Sequence, residues 1–146
     1  MLQMMATTLL LLLSVFATRP TLDQEPKQAA RTVVLEQVPS NAGHVLVAMY
    51  ADEVGWNDPA QAAYLKQVKA SPGDIVVDIS DLDPGSYAIA VLHDADDSGG
   101  MTSSVFGWPV EAYGFGNDAR RMFGPPTFAA SRVDFRKAAS TTIILK

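Results

Sequence analysis

Asp74-Ile75-Val76-Val77-Asp78-Ile79, followed by Leu82-Asp83-Pro84-Gly85-Ser86-Tyr87-Ala88-Ile89-Ala90-Val91-Leu92, reads as strand, turn, strand. In the first run Ile75, Val77 and Ile79 fall on one face, with Val76 and Asp78 on the other, the two-residue period of a half-buried strand. Pro84-Gly85 fits the two central positions of a type II turn, so Gly85 is expected at positive φ. The second run, from Tyr87 to Leu92, is apolar on both faces, as a strand flanked by neighbours would be.

Working outward, the same grammar repeats. Thr32-Val33-Val34-Leu35-Glu36-Gln37-Val38 is β-branched and apolar, and Pro39-Ser40-Asn41-Ala42-Gly43 is a turn cluster. Residues 44–51 form a second strand, with Val45, Val47 and Met49 on one face and Leu46, Ala48 and Tyr50 on the other. Apolar character on both faces predicts a central position. In residues 58–70 Asp58 is a plausible N-cap and Pro59 suits the first helical position, which argues for a short helix from Pro59. Residues 132–136 alternate around Val133 and Phe135, and 141–145 end the chain as a β-branched strand. No heptad or internal duplication appears. Short strands at turn-punctuated intervals predict an all-β chain, a single antiparallel β-sandwich of about seven strands, transthyretin-like or Ig-like.

Residues 93–128 form a long Gly/Pro/aromatic-rich loop. They hold six of the ten glycines, and half of the twelve aromatics lie between Phe106 and Phe128. A solvated connection would not carry so many aromatics. Within this loop Asp94-x-Asp96-x-Ser98-Gly99 has the spacing of the first half of a calcium loop, in which alternate side chains point oxygens inward. Gly100 can add a carbonyl and Thr102 a hydroxyl, and Glu111 can complete the shell if the loop folds back. Val105 stands where a bidentate Glu would close an EF-hand, so a plain acidic β-turn is the competing reading. Trp108, Tyr113, Phe115, Phe123 and Phe128 offer ring faces to a sugar or other flat ligand, with Glu111 and Asn117 as polar partners. The alternative is that the aromatics pin the loop to the domain. For Glu111, backbone amides or Arg120 and Arg121 are the expected partners. His93 and Asp94 are adjacent on a strand and point to opposite faces, so they are not a catalytic pair. His93 and His44 read as hydrogen-bonding residues at strand ends.

The motifs Tyr87-Ala88-Ile89-Ala90-Val91-Leu92-His93-Asp94, Gly107-x-Pro109-x-Glu111-x-Tyr113-Gly114-Phe115-x-Asn117 and Gly124-Pro125-Pro126-x-Phe128 resemble the DUF2141 family of small exported bacterial domains of unknown function. The resemblance covers roughly residues 32–146, and implies a β fold and an exported location. It also implies an edge strand near 64–70 in place of the helix from Pro59; both stay open, and a helical turn followed by a short strand accommodates them. It supplies no reaction. The chain departs from the family pattern at Ser98-Gly99, where Asn or Asp before Gly is usual, and at Thr102, where Asp is usual. Leu82-x-Pro84-Gly85-x-Tyr87 also resembles transthyretin-like and Cna-B-type sandwiches.

The 146 residues suffice for one domain. Residues 1–17 are expected to be a signal peptide, with leucines at 9–13 and the small residues Val15 and Ala17 before a cleavage point. That run is too short to span a bilayer as a helix, so no membrane span is expected after cleavage. Residues 18–30 read as a linker and 31–146 as the β-sandwich domain, located in the periplasm or secreted. The absence of cysteine excludes thiol catalysis and Cys-based zinc sites. A net charge of −5 argues against a nucleic-acid partner. The expected function is a non-enzymatic binding or envelope accessory module for a small molecule, glycan or envelope protein. One alternative is a calcium-stabilised structural domain. The other is a hydrolase using Glu111 or His93, for which no catalytic motif is present.

Overall fold

The computed structural model describes residues 29–105, 107 and 109–146. The expected leader, most of the expected linker, and Trp108 lie outside the described residues. Eight strands are present: β1 Thr32–Val38, β2 His44–Tyr50, β3 Tyr64–Lys69, β4 Gly73–Asp78, β5 Ser86–Asp94, β6 Tyr113–Phe115, β7 Arg132–Asp134 and β8 Ser140–Ile144. They form a three-stranded sheet in the order β4-β1-β8 and a five-stranded sheet in the order β3-β2-β5-β6, with β7 also paired to β5. Helical structure among the described residues is limited to three 3₁₀ turns. No described helix is long and apolar enough to cross a membrane.

β2 and β5 are interior strands, as their two apolar faces predict. Val45, Val47 and Met49 of β2 stand beside His93, Val91 and Ile89 of β5. Together with Val33, Leu35, Val77 and Ile143 of the smaller sheet, these apolar residues build one buried cluster. The two sheets therefore bury their inner faces in a shared core, and Phe135 and Leu145 extend it. Removing one of the fully buried aliphatics would leave a cavity and cost about 2–5 kcal/mol.

The ambiguous segment 58–70 contains both expected elements. Pro59–Gln61 is a single 3₁₀ turn, capped by the Asp58 side chain, which accepts from the Ala60 amide at 3.0 Å. β3 follows as an edge strand. Its exposed Lys69 guards that edge against pairing with another chain.

Three expectations require correction. The pairing is not wholly antiparallel, because β1 and β8 run parallel, with Leu35 opposite Ile143. The long loop contains β6, which pairs with β5 through Ala90–Phe115 and Leu92–Tyr113 and brings the strand count to eight. Gly85 is not among the residues at positive φ. A Cβ there would instead meet the ring of Tyr87 at 2.8–2.9 Å. Close approach of that ring, and not a left-handed turn, is what favours glycine at this position.

Candidate functional site

The outer face of the larger sheet is apolar as well. Strand alternation places Leu46, Ala48 and Tyr50 there, with Ala88, Ala90 and Leu92 beside them. Register then assembles two ladders across four strands. One runs Leu65, Ala48, Ala90, Phe115, and the other runs Gln67, Leu46, Leu92, Tyr113. In the first ladder two alanines sit between a leucine and a phenylalanine. Small residues flanked by large ones leave a trough along the middle of the sheet.

Part of this face is covered. Trp56 packs edge-on against Tyr50, with ring centroids 5.1 Å apart, and against Phe128 at 6.1 Å. The Trp56 indole nitrogen donates to the Pro126 carbonyl at 2.8 Å, pinning the Gly-Pro-Pro segment to the sheet. The rest is open. A cavity of about 380 Å³ lies over the trough, with Leu46, Ala48, Tyr50, Ala90, Leu92, Tyr113 and Phe115 in its lining. Asn57 to Ala60 form one wall, and Gly99 to Met101 another. A second cavity of about 460 Å³ shares Asn57, Met101, Tyr113 and Phe115 with the first, and continues to Arg121, Met122 and Phe123. The two adjoin along the four shared residues. Phe123 and Met122, which line the second cavity, are 74% and 86% exposed.

Beside the cleft lies the acidic turn. Asp94 ends β5 and is buried. Its two carboxylate oxygens accept from the amides of Ser98 at 2.9 Å and Gly99 at 2.8 Å. Asp96 accepts from the Ser98 amide at 3.1 Å and the Thr102 hydroxyl at 3.1 Å. Hydrogen bonding from Ser98, and then from Thr102, holds its carboxyl below the ordinary value. Glu111 is buried and folds back as expected. Its oxygens accept from the amides of Ala95 and Thr102, each at 2.9 Å. One carboxylate oxygen from each of Asp94, Asp96 and Glu111 lies within 4.8 Å of the other two. The Ser98 hydroxyl donates to the Gly100 carbonyl at 3.0 Å and lies 3.5 Å from that of Thr102. All five expected metal-ligating residues thus join one hydrogen-bonded turn, with Glu111 added. His44 braces it from β2, its Nδ1 lying 2.6 Å from an Asp97 carboxylate oxygen.

The expected ligand-binding residues divide. Tyr113 and Phe115 line the cleft. Glu111 is committed to the acidic turn. Asn117 donates to the carbonyls of Ala130 and Arg132, at 3.1 and 2.7 Å, and so ties the loop to β7. Arg120, considered as a partner for Glu111, instead donates to the Ile144 carbonyl. His93 is buried and bonds the Ala42 carbonyl at 2.8 Å, a strand-end role as expected.

Residues 33–143 match a family described as an uncharacterized protein conserved in bacteria, DUF2141. The chain belongs to this family. No curated protein and no solved structure matches it. In this DUF2141 domain the residues that sequence reasoning did not single out are Leu46, Ala48, Tyr50, Leu65, Ala90 and Leu92. The available signal was the doubled apolar character of β2 and β5. In a two-sheet arrangement only one face of each strand meets the other sheet, so the second face needs another cover.

Proposed function

We propose that this chain is an exported, non-enzymatic module of sandwich architecture that binds a small apolar molecule on the outer face of its larger sheet. The observation that carries the reading is the open trough over Ala48 and Ala90, walled by Leu65, Phe115 and the Gly99–Met101 backbone. Binding clefts are concave and mostly apolar, with a few convergent polar groups. Asn57, Asp58, Tyr50 and Tyr113 are the polar groups here. The cleft draws walls from both regions that the sequence nominates, the acidic turn and the aromatic loop. Export rests on the leucine run at 9–13 and on the family resemblance.

The test uses the neutral fluorophore N-phenyl-1-naphthylamine. It is expected to brighten and blue-shift on binding the purified domain. Ala90→Phe, which fills the trough from its floor, should abolish that response while leaving the fold intact by circular dichroism. An undiminished response in this variant would place the apolar site elsewhere.

One observation favours a second reading, a calcium-stabilised turn. The convergence of Asp94, Asp96 and Glu111 offers hard oxygen ligands of the kind calcium takes. Calcium would there have a structural part, holding the Gly99–Met101 wall in place. Nothing in the geometry favours a hydrolase. Both Glu111 oxygens are occupied by backbone amides, and the His93 ring is tied to a carbonyl.

A further inference from the structure

Tyr50 stands out within the cleft. It is 1% exposed as a residue and lines the cavity; its hydroxyl makes no hydrogen bond among the described residues, and that oxygen is not sealed from solvent. By contrast, the Tyr64 hydroxyl donates to Asp81 and the Tyr87 hydroxyl to the Asp83 carbonyl. The hydroxyl of a largely buried tyrosine ordinarily finds a partner. An unpaired hydroxyl is tolerable where something outside the chain can pair with it.

We infer that the cleft takes an uncharged, largely apolar molecule carrying a hydrogen-bond acceptor such as a carbonyl or ether oxygen, which the Tyr50 hydroxyl recognises. This rests on the cleft being a binding site, and adds the chemistry of what it binds. Burial, and then the nearby Asp58 carboxylate, push the Tyr50 phenol up to about 12, so it keeps its proton and acts as a donor. Asp58 also lines the cavity and repels an anionic ligand. The remaining lining is chiefly aliphatic and aromatic, which penalises any ligand charge that must be desolvated. A flat or chain-like body lies along Ala48 and Ala90, and its acceptor reaches the Tyr50 end.

The experiment compares butyrophenone with butylbenzene, which share a phenyl ring and chain length but differ in the carbonyl. Each is titrated as a competitor of N-phenyl-1-naphthylamine. Tyr50→Phe is expected to weaken the ketone about three- to tenfold, the range of one net hydrogen bond. The same change should leave butylbenzene affinity unchanged, because the hydrocarbon has no acceptor. The variant's melting temperature should hold, because the hydroxyl makes no hydrogen bond within the described fold, whereas loss of a bonded one would lower it. An unchanged ketone affinity in Tyr50→Phe, or an equal loss for both compounds, would overturn the role of Tyr50 while leaving the cleft standing. Absence of any fluorophore binding would overturn both the cleft and its ligand class.

Discussion

Gly43→Ala tests how the acidic turn is seated. Gly43 has φ of +60°, and a Cβ built there would lie 1.9 Å from the Asp94 carbonyl oxygen and 2.9 Å from the Ala95 backbone. Ordinary contact needs about 3.5 Å, so the two backbones must separate by about 1.5 Å. Both are held. The Gly43 carbonyl accepts from the Ala70 amide and the Lys69 side chain, and the neighbouring Ala42 carbonyl is bonded by His93. Asp94 is held in register by His44 of β2. The left-handed conformation costs alanine about 1 kcal/mol, and forcing packed backbones apart adds about 1–3 kcal/mol. Gly73→Ala separates the two contributions. Gly73 also has positive φ, +93°, but a Cβ there meets nothing within 4 Å. It should cost only the conformational part. Equilibrium urea unfolding of both variants measures the difference directly, provided their m values agree. A gap of about 1–3 kcal/mol is expected. Costs that agree within about 0.5 kcal/mol would refute the idea that the 39–43 turn is the rigid seat of the acidic turn.

Other outcomes follow from the same geometry. Gly85→Ala should cost no more than about 1 kcal/mol in urea unfolding, since the contacting atoms belong to the far end of the Tyr87 ring, which can swing away at the expense of its bond to Asp83. A cost well beyond that would restore a backbone requirement at Gly85. Calcium at a hundredfold excess over its dissociation constant should add about 2.7 kcal/mol and raise the melting temperature by several degrees. The double change Asp94→Asn with Asp96→Asn should remove that response, and identical melting in calcium and EDTA would dismiss the calcium reading. Intact-mass measurement of protein recovered from the cell envelope should give a chain beginning at or near Thr18, and recovery only of the full-length chain from the cytoplasm would refute export.

Strands were legible where a run of residues carried its own period. β1 and β2 begin where their patterns begin, and β3 follows the Pro59 turn as the punctuation at Asp58-Pro59 suggests. β6 was not legible, because Tyr113-Gly114-Phe115 is too short to show a period. Its glycine reads as loop, although it is needed where a Cβ would meet the Ile143 side chain at 2.6 Å. What makes these residues a strand is the edge of β5. The direction of β8 was hidden for a related reason: nothing within Ser140–Ile144 says which way its neighbour runs. At the site, the acidic turn was legible because Asp94, Asp96 and Ser98 are close in sequence; of the two distant acids in the loop, Glu111 folds back to the turn and Asp118 accepts from the Ile144 amide. The trough was not, because each of its four-residue ladders takes one residue from each of four strands. Alanines at 48 and 90 carry no signal until Leu65 and Phe115 stand beside them.

The two candidate features are continuous. Along the outer face the rungs run Tyr50–Ala88, Ala48–Ala90, Leu46–Leu92 and then His44–Asp94. Asp94 is therefore the next rung after the floor of the cleft, on the same face. By accepting from the Ser98 and Gly99 amides it draws the turn over that floor and fixes Gly99 to Met101 as a wall. Glu111 repeats the device from the other side, holding Ala95 and Thr102 at the two ends of the turn, two residues before Tyr113 enters the cleft. Carboxylates used in this way shape an apolar cavity through the backbone amides they gather, since amide–carboxylate bonds are the strong, charge-assisted kind. The acidic residues that suggest a cation in the sequence thus have a structural consequence whether or not a cation binds. A cation bound among them would compete with the amides for the same oxygens, and its effect would reach the cleft through the position of Gly99 and Met101.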